Sequence, residues 1–338
     1  MYSPHHIAWQ TTYKCNLSCI HCYAAGVSKN LLSTTEAKRI ILEALEIGVK
    51  AFVFTGGEPL LRDDIMDLII YVSDLGLKPI LATNGTLLDE NRIRILKEFK
   101  ASVAINLPAI NEEIHEKFTG VKSSLRLKLN TINKCREYGL ECSIGIAITK
   151  LNMVDIDSII QHMENMEIDI LATIPCGRAS PDIIPSGFEY YSLLKHLHDK
   201  WKAYPMNMYG KARIYVYEPI YNALLAISSY MESLSRLCSI GETLHVMEDG
   251  SIKTCIYLPY VLGNVRKTSL ANIWRKLVYD KLIGRLRDPK ELKGYCNVCK
   301  LRNVCGGCRA RAYHMVGDLF ASDPICSLPI STNGNISI

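Results

Sequence analysis

The chain has 338 residues, 48% hydrophobic and 22% charged, with 21 glycines and 13 prolines. That composition excludes a disordered or collagen-like polypeptide, and its length suggests about two domains. The formal charge of +5 gives no argument for nucleic acid. No uninterrupted apolar run of about 18 residues offers a membrane span, and residues 1–10 lack the layout of a signal peptide, so a cytoplasmic protein is expected.

Apolar and β-branched runs at 6–12, 51–55, 79–83, 102–107, 142–149 and 169–175 predict six strands. Helical periodicity between them predicts helices at 34–47, 63–75, 90–98, 124–138 and 155–166. The first carries a capping box, Ser33 with Glu36, and a stop at Gly48. Six βα units in series predict a parallel sheet with outer helices, either an open doubly wound sheet or part of a barrel. The pattern changes after Pro175. Helices are predicted at 188–203 and 221–234, short strands near 243–247 and 251–256, and a Lys- and Arg-rich helix over 270–286. A boundary near Leu237 divides residues 1–237 from a cysteine-rich segment, 238–330, and a tail at 331–338 reads as disordered.

The abnormal feature is the 13 cysteines. An odd number in so long a chain argues against a disulfide framework, with the intracellular disulfides of hyperthermophiles as the alternative. Cys15, Cys19 and Cys22 follow the first predicted strand directly. Three thiolates on one short loop can hold three irons of a cubane and leave the fourth open. A structural zinc would want a fourth ligand, which His21 could supply. Gly56-Gly57-Glu58-Pro59 follows the second strand and Thr83-Asn84-Gly85 the third. Loops at the carboxyl ends of parallel strands converge on one face. There Gly56 and Gly57 would let a ligand approach the backbone, and Glu58 could pair with a cationic amine.

A second constellation comprises Cys238, Cys255, Cys296, Cys299, Cys305, Cys308 and Cys326. A zinc ribbon fits poorly, because its two knuckles usually lie about 15–20 residues apart. Three cysteines remain. Cys135 and Cys142 read as small buried hydrophobes. Cys176, in Pro175-Cys176-Gly177-Arg178, ends the sixth strand on the same face as the first cysteine loop. Arg178 is a candidate for gripping a substrate carboxylate. The basic stretch at 275–287 is either a solvated face or a dock for an acidic ferredoxin.

The first cysteine loop ending in Tyr23, the GGEP element and the TNG turn, in this order, resemble the radical S-adenosylmethionine (radical SAM) superfamily. The resemblance implies an α/β fold, a partial (β/α)6 TIM-like barrel. It implies a [4Fe–4S] cluster on Cys15, Cys19 and Cys22 whose open iron chelates S-adenosylmethionine, reductive cleavage, and a 5′-deoxyadenosyl radical. Tyr23, Gly56, Gly57, Glu58, Asn84 and Asn106 become candidate cofactor contacts. Two elements depart from the family: Ile105-Asn106-Leu107-Pro108-Ala109 stands where relatives often carry S-L-D-G, and Phe118-Thr119-Gly120 where many carry F-R-G.

The C-terminal cysteines, with Gly263-Asn264-Val265-Arg266, resemble the SPASM domain of radical SAM maturases, a cysteine-rich iron–sulfur domain. That implies one or two auxiliary [4Fe–4S] clusters. The family's interleaving would give Cys296, Cys299, Cys305 and Cys326 to one, and Cys238, Cys255 and Cys308 to another with an iron left open. Here Gly306-Gly307 makes the last spacing one residue shorter than is common. The stretch from Cys305 to Tyr313 looks most like cofactor-making members, those of alternative haem, haem d1 and tungsten-enzyme cofactor maturation. The implied substrate is a small-molecule cofactor precursor, tetrapyrrole or tungstopterin-type, with a ferredoxin or flavodoxin-type electron donor and no nucleic acid or membrane. A peptide maturase is the second reading, disfavoured because the cysteine loop begins at residue 15 and leaves no room for a leader-binding domain. A non-enzymatic electron carrier is the third, and it gives the GGEP and TNG turns no use.

Overall fold

The computed structural model describes residues 4, 6–27, 30–205, 213–227, 236 and 238–328. The boundary at Leu237, the tail at 331–338 and the end of the helix expected over 221–234 lie outside the described residues.

Strands β1 (His6–Gln10), β2 (Ala51–Thr55), β3 (Lys78–Thr83), β4 (Ser102–Asn106), β5 (Cys142–Ile148) and β6 (Glu167–Ala172) pair in parallel, each with the next. They alternate with helices α1 (Thr34–Glu46), α2 (Ile65–Asp74), α3 (Glu90–Glu98), α4 (Glu112–Thr119), α5 (Ser124–Glu137) and α6 (Ile156–His162). Helix α1 forms because its box closes in both directions, Ser33 capping the Glu36 amide and Glu36 reaching back. Its Ala37, Ile40, Ile41 and Ala44 fall on one stripe and share a core with Phe52 and Phe54 of β2. The alternate residues of β2, Ala51, Val53 and Thr55, remain half-buried on the opposite, inner face. That inner face is the chamber onto which the strand-end loops open.

The remaining elements are α7 (Gly187–Trp201), β7 (Tyr204–Pro205), β8 (Ile214–Tyr217), α8 (Pro219–Ile227), β9 (Leu244–Val246), β10 (Ser251–Lys253), β11 (Gly263–Asn264), α9 (Leu270–Val278), α10 (Lys281–Arg287), α11 (Gly294–Val298) and α12 (Arg309–Val316). One 11-stranded sheet results, in the order β11-β10-β9-β1-β2-β3-β4-β5-β6-β8-β7, with β9 parallel to β1. Its two ends do not meet, so the barrel is open.

Four features differ from the sequence reading. The predicted basic helix at 270–286 is two helices, because Asp280 accepts from the Ile283 amide and starts α10 afresh. Helix α6 stops at His162, four residues early, before a turn in which Asn165 takes φ 66°. Helix α4 and strand β8 were not foreseen. The first is only 8 residues long, started by Asn111 and ended by left-handed Gly120.

Candidate active site

The loop carrying Cys15, Cys19 and Cys22 leaves β1 at the carboxyl end of the sheet and is held from four sides. On the first, the amides of Gly57 and Glu58 donate to the carbonyls of Thr12 (2.7 Å) and Lys14 (2.8 Å). A Cβ on Gly57 would lie 2.1 Å from the Lys14 carbonyl oxygen, and one on Gly56, whose φ is +134°, would lie 2.6 Å from that of Thr12. On the side where a Cβ would project, these glycines let the backbone of Thr12 and Lys14 come close. Gly57→Ala is expected to cost at least about 1–3 kcal/mol, because the obstacle is main chain that cannot yield. Chemical denaturation, with bound iron after reconstitution falling in parallel, checks this.

On the second side, Asn84 Nδ2 donates to Asn16 Oδ1 (2.8 Å) and to Cys15 Sγ (3.8 Å), which also accepts from the Leu17 amide. On the third, the amides of Ser18 and Ile20 donate to the carbonyls of Thr119 and Phe118, both at 2.9 Å. The F-T-G element thus buttresses the loop. On the fourth, the Arg178 amide donates to the Cys22 carbonyl (2.9 Å) and its Nε to that of Cys19 (3.0 Å). Arg178 is exposed, and through these two bonds it clamps the loop.

Glu58 lies inside this assembly with no exposed surface. Its carboxylate accepts from Thr83 Oγ1 (2.7 Å) and from the amides of Asn84 (2.8 Å) and Leu60 (3.1 Å). It welds the GGEP turn to the TNG turn, and its acceptor sites face protein donors rather than a free amine. Burial raises its pKa against the pull of those donors.

Lys128 is the residue the sequence reading missed. It is fully buried on α5, donates to the Asn106 carbonyl (2.8 Å), and faces Cys19, Glu58 and Cys15. Burial depresses its pKa to about 8 against the attraction of those three groups. The signal was available: Leu125, Lys128, Ile132 and Cys135 share one buried stripe, and a lysine on such a stripe needs a partner. Asn106 itself turns Nδ2 to the Gly145 carbonyl (3.2 Å).

Tyr23 stacks edge-on against Tyr257 with ring centroids 5.5 Å apart, and burial pushes its phenol up to about 12 against the opposing pull of a hydrogen bond with Thr55. His21 packs its ring 4.7 Å from that of Phe118, and burial holds its pKa down at about 3. Cys176 lies near Cys22 and Lys253; burial pushes its thiol up to about 11.

The seven C-terminal cysteines fall into two neighbourhoods. Cys255 lies beside Cys308 and Cys238, while Cys326 lies beside Cys296 and Cys299, and Cys305 beside Cys326 and Cys296. A cavity of about 270 Å³ is walled by Cys238, Cys255 and Cys308 on one side and by Leu171 and Tyr217 of the barrel on the other. Arg311 supports the wall. Its guanidinium meets Glu218 at 2.9 and 3.0 Å and Asp323 at 2.6 and 2.8 Å, all three buried, while Asp323 accepts the Cys308 amide (2.7 Å).

These thiols suit iron–sulfur clusters better than zinc. Burial pushes Cys19 to about 11, Cys326 to about 11 and Cys308 to about 12, so a strongly cationic centre is needed to hold them as thiolates. The amides of Leu17, Leu301 and Gly307 already point at the sulfurs of Cys15, Cys299 and Cys305, at 3.3–3.4 Å. Among the described residues no three His, Cys, Asp or Glu side chains converge on one ion. A tetrahedral zinc needs its sulfurs about 4 Å apart, whereas a cubane meets each thiolate at a separate iron.

No helix among the described residues is long and apolar enough to cross a membrane. The radical SAM superfamily model matches residues 9–163, and the iron-sulfur cluster-binding domain (SPASM) matches residues 238–300. An AdoMet-dependent heme synthase of Methanosarcina barkeri is 30% identical over 96% of both chains. The Fe-coproporphyrin III synthase of the same organism is 29% identical over 95% of this chain and 87% of its own. The crystal structure of Streptococcus suis SuiB bound to S-adenosylmethionine superposes with a TM-score of 0.76 at 19% identity, over 96% of this chain and 78% of that one, and shares the fold. The motifs, the two matched segments and the end-to-end relative agree: the chain belongs to the radical SAM superfamily, with a SPASM iron–sulfur domain, and is an enzyme of [4Fe–4S] clusters and S-adenosylmethionine.

Proposed function

We propose that this enzyme converts propionate side chains of an iron porphyrin to vinyl groups. The observation that carries the reading is the similarity to a heme synthase across nearly the whole of both chains. Coproporphyrins carry propionates where haem carries vinyl groups, so the chemistry of making one from the other is fixed. One hydrogen atom leaves the side-chain carbon next to the ring, then carbon dioxide and one electron leave together.

In this reading Cys15, Cys19 and Cys22 hold the cluster that, with S-adenosylmethionine bound, supplies the hydrogen-abstracting 5′-deoxyadenosyl radical. Asn84, Asn106, Tyr23 and Lys128 line its approach, and Lys128 offers the buried cation for a carboxylate of the bound cofactor. Cys238, Cys255 and Cys308, on the chamber wall, hold an iron–sulfur acceptor for the departing electron; Cys296, Cys299, Cys305 and Cys326 hold a second auxiliary cluster. Residues 1–237 form the barrel unit and 238–330 the auxiliary unit. A cytoplasmic ferredoxin or flavodoxin-type donor starts each turnover.

The test is anaerobic turnover of the reconstituted protein with dithionite, S-adenosylmethionine and an iron coproporphyrin deuterated on its propionates. The expected result is deuterium in 5′-deoxyadenosine, with loss of carbon dioxide, one hydrogen atom and one electron from each propionate that reacts. Formation of 5′-deoxyadenosine with the porphyrin intact and no deuterium transfer would move the substrate elsewhere.

A further inference from the structure

Two basic side chains on neighbouring strands at the chamber edge have no task in the site described so far. His245 of β9 sits opposite Lys253 of β10, and cross-strand partners project to the same face of a sheet. On β1 the register partner of His245 is Ala8, a small side chain. His245 lines the cavity walled by Cys238, Cys255 and Cys308, and its Nδ1 is shut off from solvent without a hydrogen-bond partner. Lys253 has no hydrogen-bond or ion-pair partner among the described residues, and its ammonium acts on Cys176 and Glu248.

One carboxylate, Glu248, already feels the Lys253 charge. The Glu248 carboxylate accepts from Gln10 Nε2 at 3.0 Å, in a contact closed off from solvent. Burial first, then a second imidazole, His6, and the Lys253 ammonium lower the His245 pKa to about 4, so its ring is neutral. An ammonium with no partner among the described residues, beside an imidazole whose buried ring nitrogen is unpaired, favours an anion that can accept from both. The structure therefore carries a preference for a negatively charged guest at this place.

We propose that His245 and Lys253 form a carboxylate subsite that anchors a propionate of the tetrapyrrole substrate between the first cysteine loop and the Cys238, Cys255 and Cys308 wall. The inference rests on the porphyrin reading above and adds the point of attachment. An ammonium and an imidazole N–H on neighbouring strands give a carboxylate two charge-assisted hydrogen bonds from fixed positions. Because the backbone pairing sets their spacing, the pair orients the ring and does not merely attract it. The carboxylate stays ionised there, as loss of carbon dioxide requires, and lies against the wall that accepts the electron.

The experiment measures binding of iron coproporphyrin III, and of its tetramethyl ester in detergent, to the reconstituted full chain by the Soret shift, without reductant. Lys253→Met and His245→Ala should each weaken binding of the acid at least tenfold and leave the ester within twofold of the parent chain. Lys253→Arg should restore most of the loss. Lys253→Gln serves as a second neutral variant, with iron content and thermal midpoint confirming that each protein is folded. Unchanged binding of the acid, or equal losses for acid and ester, would overturn the subsite while leaving the porphyrin reading in place. A parent chain that binds neither compound yet forms 5′-deoxyadenosine would overturn both.

Discussion

Replacing Cys19 by alanine is expected to remove about four irons per chain and to bring 5′-deoxyadenosine formation down to background. Cys19 is the member of its triplet on which the surrounding charges concentrate. Burial drives its thiol up to about 11, and Lys128, Cys15 and Cys22 all act on it. Its carbonyl is also the acceptor for Arg178 Nε. Alanine leaves the clamp in place and takes away only the sulfur, so the polypeptide should fold while the cluster fails to assemble. Iron held by the C-terminal cysteines should survive, because those residues lie in separate neighbourhoods. Iron analysis, electron paramagnetic resonance of the dithionite-reduced protein and quantification of 5′-deoxyadenosine check the three parts. Cys135→Ala, at a buried helix position next to Cys142, is the matched control and should keep both iron and cleavage.

The second large effect is expected from Arg311→Met, which should lower stability by about 3–5 kcal/mol. Arg311, Glu218 and Asp323 are each buried to within 1% of complete, and the arginine bonds both carboxylates. Removing it leaves two carboxylates facing one another in the interior with no cation between them. Burial alone would raise the Asp323 pKa, but the Arg311 charge and the hydrogen bonds overcome that and hold it below the ordinary carboxyl range. A depressed folded-state pKa means stability that is full above the unfolded value near 4 and is lost as pH falls through the folded value. The parent protein should therefore lose this contribution only in acid, whereas the variant should be weak already at neutral pH. Thermal midpoints from pH 3 to 8 separate the two. Iron in the Cys308 neighbourhood should also fall, since the Cys308 amide is held by Asp323.

The strands were legible because β-branched runs between helical stripes leave little choice, and β2 and α3 match their expected bounds residue for residue. Strand β8 was not, although Ile214–Tyr217 is built of strand-forming residues, because it is only 4 residues long. Motifs showed which residues gather but not what each one touches. Gly56 and Gly57 looked like space for a ligand, yet their neighbours come from Thr12 and Lys14, more than 40 positions away in the chain. Glu58 looked like a partner for an amine, yet its donors are Thr83 and Asn84. Such contacts depend on how two loops settle against each other, which spacing does not encode.

The parallel pairing of β9 with β1, through Ile7 with Leu244 and Trp9 with Val246, has a bearing on how these proteins can be recombined. A chimera cut at the composition boundary would strip the first strand of its neighbour and leave a bare, adhesive margin along its backbone. Residues 244–264 travel with the barrel as its margin strands. Grafting near residue 237 without them should yield inclusion bodies.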